Sequence, residues 1–546
     1  MTAAGDDRDD RWWRRAVVYE VYLRSFADSD GDGIGDLRGV RSRLDYLRWL
    51  GVDALWLTPF YPSPQADQGY DVRDHRSVDP VYGTLSELDE LVTRAHALGL
   101  RVLVDLVPNH VSADHPWFRA ARAGSGPARE RFHVLPGRGP TGARPPNGWR
   151  SMFGGPAWSR MPDGAWYLHL FDAGQPDLNW SSPDVIADFD ETLRFWAARG
   201  VDGFRVDVAG GLVKDPAYAE VPRPGAAGTG EHPYWDRTGV HEVYRHWRAV
   251  LDAVRPGLVG VAEVWGTPER VAAYARPAEL GQAFAFALVH APWSATALRR
   301  IVQAQLAAAG TVGALPAWVL SSHDFPRPAT RHGPARSLAL HLLALALPGA
   351  CYLYQGDELG LPEVDVPAGD RVDPTFHRSH GRLPGRDGAR VPLPWTADPA
   401  DSYGFSSARR REAGGRRPAP HRPWLPQPPG WGALAVTAQQ ADPASPARLV
   451  RAALRLRRRW AAATDEVVWL AAPRGVLAFA RDDLVCLLNA SSRAVPLDGW
   501  GTPLVTSLGE RARPTQLPPG AAAWLRRTAR APAPRHPVRR RGPGPR

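Results

Sequence analysis

The feature that most constrains this chain is a repeated change of hydrophobic period. Short apolar runs at 17–22, 54–57, 102–106, 203–206, 259–264, 284–288, 319–322 and 350–354 have the length and β-branched content of buried strands. Longer amphipathic stretches follow them at 37–50, 85–98, 183–198, 241–254, 268–274, 295–308, 334–347 and 446–458. Several of these open on helix-start signals. Thr84-Leu85-Ser86-Glu87 reads as a capping box, and Ser182-Pro183, Thr267-Pro268 and Ser445-Pro446 place an N-cap residue before a first-turn proline. Eight strand–helix units predict an α/β fold, a (β/α)8 TIM barrel, with its functional face at the C-terminal ends of the strands.

Two intervals interrupt the rhythm. Residues 107–174, after the third strand, read as a small inserted domain; residues 355–445, rich in Pro, Gly and Arg, begin with a segment that folds over the barrel mouth. Short β runs after residue 460 predict a C-terminal β-sandwich domain. The expected organisation is a disordered N-terminus at 1–11, a barrel at 12–106 and 175–460, an insertion at 107–174, a sandwich at 461–527 and a disordered basic tail at 528–546.

Composition excludes other classes. The net charge of +10 suggests a polyanion partner, but residues 526–546 hold eight Arg and no acid, leaving +2 elsewhere. No nucleic-acid partner is expected. No apolar run reaches the roughly 18–20 residues of a membrane span, and the first residues have no apolar signal region. Cys351 and Cys486 both lie in apolar runs, so no disulfide framework is expected. A cytoplasmic monomer or small homo-oligomer is the default.

Acidic residues stand at the ends of several apolar runs. In GFRVDV, Arg205 and Asp207 share one face of the strand, and the guanidinium is expected to hold the carboxylate ionised for nucleophilic attack. Glu263, between VGVA and Val264-Trp265, has the apolar setting of a proton donor. Ser322-His323-Asp324 ends the seventh run and can bind vicinal hydroxyls; Asp105 and His110 follow the third. Each has a structural alternative when taken alone: a buried ion pair, a helix cap, a surface turn, a structural histidine. Their common placement on one barrel face points to acid/base chemistry at a sugar bond. Strands four and five are adjacent, at the roughly 5–5.5 Å separation that a retaining glycosidase needs between Asp207 and Glu263. Trp265 and Tyr70 are candidates for stacking on sugar rings. Separately, Asp28, Asp30, Asp32, Ile34 and Asp36 form an acidic, glycine-turned loop expected to hold Ca2+, or Mg2+, and to pin the first βα loop. It is not an EF-hand, because Gly39 stands where a bidentate Glu belongs.

DLVPNH (105–110), GFRVDV (203–208), AEVW (262–265) and SSHD (321–324) resemble the four main conserved regions of the α-amylase superfamily, glycoside hydrolase family 13. GVDALWLTP (51–59) and PGACYLYQGDELGLPE (348–363) resemble its second- and eighth-strand regions, and QPDLNW (175–180) resembles the oligo-1,6-glucosidase and α-glucosidase branch. VPLPW (391–395) and WLPQP (424–428) look most like actinobacterial α-glucosidases. The resemblance implies Asp207 as nucleophile, Glu263 as general acid/base and Asp324 as transition-state stabiliser. It implies Arg205, His110 and His323 around the sugar, Asp67 and Tyr70 on the terminal glucose, Arg390 as the arginine paired with Asp67, and no organic cofactor. The implied activity is a retaining, exo-acting α-glucosidase on small, maltose-like α-glucosides, with α-1,4 bonds favoured. Oligo-1,6-glucosidase, trehalose synthase and sucrose isomerase activities are the alternatives. Two features depart from the pattern: Ser322 replaces an Asn, and Val208 accompanies α-1,6 specificity in part of the branch while Gly210 stands where maltose-active relatives carry His.

Overall fold

The computed structural model describes residues 11–124, 126–222, 231–406, 422–460 and 464–527. The tail at 528–546 and residues 1–10 of the N-terminal segment lie outside the described residues.

Eight parallel strands close into a barrel: β1 (Val17–Val21), β2 (Ala54–Leu57), β3 (Arg101–Leu106), β4 (Gly203–Val206), β5 (Val259–Ala262), β6 (Gly281–Ala285), β7 (Ala317–Val319) and β8 (Ala350–Tyr354), in the order β1-β8-β7-β6-β5-β4-β3-β2. Helices α1 (Leu37–Leu50), α2 (Leu85–Ala97), α3 (Pro183–Ala198), α4 (Val240–Val254), α5 (Pro268–Tyr274), α6 (Ala295–Thr311), α7 (Pro334–Ala346) and α8 (Pro446–Trp460) surround it. Strand residues are buried on both faces, which explains runs without polar alternation. Val18, Trp56, Leu103, Val261, Phe284, Val319 and Tyr352 fill the barrel interior. The opposite faces pack on the helices in a second, larger core.

The structure corrects two strands. β6 begins at Gly281, three residues before the expected 284, and Phe286–Leu288 is a 3-10 turn. The polar Gln282 hid this strand; it is buried because its amide donates to Trp13 O and accepts from the Tyr352 hydroxyl, both at 2.6 Å. β7 runs from Ala317 to Val319, so residues 320–322 leave the ladder before the site is reached. Among the caps, Thr84 and Glu87 form the expected box and Ser445 Oγ accepts from Arg448 N at 3.3 Å. Ser182 and Thr267 make no side-chain cap bond; the proline after each starts its helix without one.

Between β3 and α3, a three-stranded antiparallel sheet (Val134–Leu135, Trp158–Arg160, Trp166–Leu168) packs beside Trp149, Leu170 and Tyr234. After α8, a five-stranded antiparallel sheet docks on the barrel through Trp524, whose indole donates to Leu342 O of α7. Buried Arg457 and Arg481 donate to the carbonyls of Leu345, Ala346 and Leu347 at the C-terminal end of α7. Among the described residues no helix is long and apolar enough to cross a membrane.

Helix α1 fits against residue 27 so closely that a Cβ on Gly39 would lie 1.9 Å from Ala27 O, whereas one on Gly310 of α6 meets nothing within 4 Å. Replacing a helix Gly with Ala gains up to about 1 kcal/mol when space allows, and less in a last turn such as that of Gly310; overpacking costs roughly 1–3 kcal/mol. Gly310→Ala is therefore expected to raise the urea midpoint slightly and Gly39→Ala to lower it clearly.

Candidate active site

Strand register gathers the site. β3 and β4 pair Asp105 with Arg205, and β4 and β5 pair Arg205 with Val261. The ladder continues past both strand ends: Asp207 N donates to Leu106 O at 2.9 Å and Glu263 N to Val206 O at 3.0 Å. Asp207 and Glu263 are thereby held in step on neighbouring strands, about 4.8 Å apart in the hydrogen-bonding direction.

Arg205 is the centre of the cluster. It is 2% exposed; its Nη1 lies 2.6 Å from Asp207 Oδ1 and 3.0 Å from Asp105 Oδ1, and its Nη2 lies 3.8 Å from Glu263 Oε2. The guanidinium also rests on Trp56 and Tyr70. Burial pushes the Asp207 carboxyl well above the usual carboxylate range; Arg205 pulls against this, while Glu263, Asp105 and Asp324 reinforce it. Burial likewise raises Asp105 to about 6 against the pull of Arg205.

Glu263 is oriented from two sides. Its Oε2 accepts from Val208 N at 2.9 Å and its Oε1 from the Trp265 indole at 3.1 Å. Val208 adopts φ 49°, a strained choice for a β-branched residue, and this bend aims its N–H at Glu263. Trp265 is 49% exposed at the mouth and stacks on Phe286 with ring centroids 4.5 Å apart. Tyr70 is nearly buried, its ring stacked on His323 and its hydroxyl 3.0 Å from Asp105.

These groups open into a cavity of about 330 Å³, within the common range for small-ligand sites. Asp67, Tyr70, His110, Asp207, Glu263, Asp324 and Arg386 line its polar side; Met152, Phe153, Phe171, Val208, Trp235 and Trp265 form an apolar rim. Of the residues expected here, Asp207, Glu263, Asp324, Asp67, Tyr70 and His110 reach the cavity directly. Arg205, His323 and Arg390 stand behind them. Burial lowers His110 to about 4, so it is a neutral ring, held by Tyr70 O at 3.1 Å and Gln175 at 3.2 Å.

One assignment is corrected. Arg386, not Arg390, pairs with Asp67, at 2.9 Å. Arg386 also bonds Asp324 at 2.9 Å and Asp373 at 2.5 Å. Arg390 instead donates to Gln68 Oε1 at 2.7 Å, His323 O at 2.9 Å and Asp324 Oδ1 at 3.1 Å. The 3-10 turn at Asp387–Ala389 separates them by one turn, so both guanidiniums face the site with Arg390 the deeper. Sequence alone offers two arginines in GRDGAR and no means to rank their depth. Burial raises Asp67 to about 6 despite both arginines. For Asp324, burial works upward but Arg386, Arg390 and Arg205 pull the other way, leaving it below the usual carboxylate range; a protonated His323 would add to their pull. Beyond Trp265, reading from sequence also missed the apolar rim, whose residues come from loops without regular period, and buried Lys214, which bonds Asp177 and Asn109 at 2.8 Å and ties the loop after β4 to both ends of the β3–α3 connection.

In the acidic loop, carboxylate oxygens of Asp28, Asp30 and Asp36 lie within 4.8 Å of one another; Asp32 falls outside this group and points its carboxylate at Ile34 N. Asp28 also accepts from Ser406 Oγ and Gly33 N, and Asp36 caps α1 through Gly39 N. Hard oxygen donors crowded in this way suit Ca2+ or Mg2+.

The catalytic-domain model of the α-amylase family matches residues 20–465. A probable α-glucosidase of Rhizobium meliloti is 35% identical over 91% of this chain and 94% of its own length. An oligo-1,6-glucosidase of Parageobacillus thermoglucosidasius is 34% identical over 82% and 84%. The crystal structure of an α-glucosyl transfer enzyme superposes with a TM-score of 0.81 at 33% identity, covering 94% of this chain and 99% of that one.

Removing Arg386 strands three buried or half-buried carboxylates. Asp67 already has a raised folded-state pKa, so it favours the folded state below its unfolded value and loses that contribution as pH rises through about 6. Without the guanidinium this loss grows, and Asp324 and Asp373 lose a cation that favours their ionised forms. Arg386→Gln is expected to destabilise the protein by about 3 kcal/mol near neutral pH and by less near pH 4.5, read as melting temperatures of both proteins at the two pH values.

Proposed function

Because this chain belongs to the α-amylase family of glycoside hydrolases, we propose that it is a retaining, exo-acting α-glucosidase that releases terminal glucose from short α-glucosides. The observation that carries the reading is the in-step pair Asp207 and Glu263 on one guanidinium, inside a cavity whose wall includes the bonded pair Asp67 and Arg386. Asp207 attacks the anomeric carbon while Glu263 protonates the leaving oxygen; water then takes the sugar from Asp207 as Glu263 accepts its proton. Asp324, kept anionic by two arginines, faces the positive charge that develops on the sugar ring. We read the bonded Asp67–Arg386 pair as the blind end of the pocket, which supports attack from the chain end. We favour α-1,4 bonds, with α-1,6 the nearest alternative. The apolar rim supports a second reading, glucosyl transfer or isomerisation, because it limits water at the leaving side. Buried Cys351 and Cys486, both free thiols, fit a cytoplasmic setting.

Asp207→Asn is expected to leave less than about 1% of maltose or isomaltose hydrolysis. Chromatography of wild-type products from maltose, isomaltose and sucrose separates the readings: glucose with retained anomeric configuration is expected, and trehalose or isomaltulose as main product sinks hydrolysis.

We further propose that Asp28, Asp30 and Asp36, with Asp32 and Ile34 adjoining, hold Ca2+ or Mg2+ and fix the first βα loop against Ser406. At one hundred times its Kd such an ion adds about 2.7 kcal/mol, so added Ca2+ should raise the melting temperature of chelator-treated protein. Asp30→Asn should blunt that rise.

A further inference from the structure

His323 is held on every side. Its ring lies between Tyr22 and Tyr70, with centroids at 5.4 and 5.5 Å and planes tilted by 22° and 14°. Its Nε2 is 2.9 Å from the Tyr70 hydroxyl and 3.3 Å from Asp324 Oδ2. Its Nδ1 is 2.5 Å from Glu20 Oε1, and the same oxygen accepts from His323 N at 3.2 Å. Glu20 lies inside β1, 1% exposed, and touches no cavity surface.

Counting protons assigns each bond. The Tyr70 hydroxyl has one proton and donates it to Asp105 Oδ2, an acceptor that Arg205 also contacts. The Tyr70 oxygen already accepts from Arg205 Nη1 at 3.3 Å. With that proton turned to Asp105, the Tyr70 oxygen offers His323 Nε2 only a lone pair, and the other neighbour, Asp324, is an anion held by Arg386 and Arg390. Nε2 therefore carries a proton and donates. The short Nδ1–Oε1 contact also needs a proton. If it sits on nitrogen, the pair is imidazolium and carboxylate; if on oxygen, it is neutral imidazole and carboxylic acid. Burial opposes a charged His323, as do Arg390, Arg205 and Arg386, although Asp324 favours it. Burial likewise pushes Glu20 well above the usual carboxylate range.

We propose that Glu20 is a positioning residue that donates its acid proton to His323 Nδ1 and so fixes the imidazole as a hydrogen-bond donor at Nε2, facing Asp324 and the bound sugar. The inference rests on reading this cavity as an α-glucosidase site. It gives β1, which supplies no group to the cavity wall, a role in the chemistry. Without Glu20 the ring is free to move its proton to Nδ1, which would turn a lone pair toward the Asp324 carboxylate.

Wild type, Glu20→Leu and Glu20→Gln are compared in the full chain by p-nitrophenyl α-glucoside kinetics, by melting temperature and by 15N spectra of histidine-labelled protein, with His323 assigned through His323→Asn. A Leu side chain cannot donate; kcat is expected to fall about 10- to 100-fold, with a smaller change in KM. The Gln amide can donate to Nδ1, so Glu20→Gln should recover most of kcat. The wild-type spectrum should place the His323 proton on Nε2 and leave Nδ1 bare. A protonated Nδ1 in the wild type, an unimpaired Leu variant, or a Gln variant as impaired as Leu would each overturn the proposal. If Leu fails to fold, the Gln kinetics and the spectra still decide. If the wild type cleaves no α-glucoside, the functional reading fails, while the nitrogen spectra still judge the role of Glu20.

Discussion

A single guanidinium organises this molecule's working end. Arg205 is buried among Asp105, Asp207 and Glu263, and each of those acids would be costly at its depth without it. Its position follows from barrel register, since β4 must sit beside β3 and β5 for the three carboxylates to reach one cation. The barrel is thus more than a support. It lets like charges stand a few ångströms apart, with protons distributed by burial and by the count of nearby arginines.

The same logic extends outward in shells. Arg386, Arg390 and Arg205 hold Asp324 below the usual carboxylate range, whereas Asp67 shares the first two arginines but also faces Asp71 and Asp373, and stays nearer neutrality. Two carboxylates that share Arg386 therefore differ in how readily they ionise, and the difference comes from their other charged neighbours. Val208 adds a backbone contribution: its strained φ turns an amide toward Glu263 that an ordinary strand end would send elsewhere.

Much of this was legible in the chain. β2, β4, β8 and α1, α3, α5 begin and end where period and flanking signals place them. Strand-end acids are conspicuous because burial penalises them, so Asp207, Glu263 and Asp324 stand out without any structure. What stayed hidden depends on partners distant in sequence. Gln282 looks like a loop residue until Trp13 and Tyr352 satisfy it. Glu20 looks like the polar face of a strand until His323, some three hundred residues later, closes on it. Arg386 and Arg390 differ only in depth, and depth is set by the long segment after β8 folding back over the mouth. Whether Ser182 and Thr267 cap is likewise decided by side-chain direction rather than residue type.

The short turn at Asp387–Ala389 has a consequence for how such a site can change. Arg386 grips Asp67 in the cavity wall, while both it and Arg390 grip Asp324 in the same wall. Two acids of the cavity wall thus hang from one peptide segment. An insertion there shifts both together, so neither acid can be moved from this turn without the other, whereas changes on the apolar rim leave that linkage untouched.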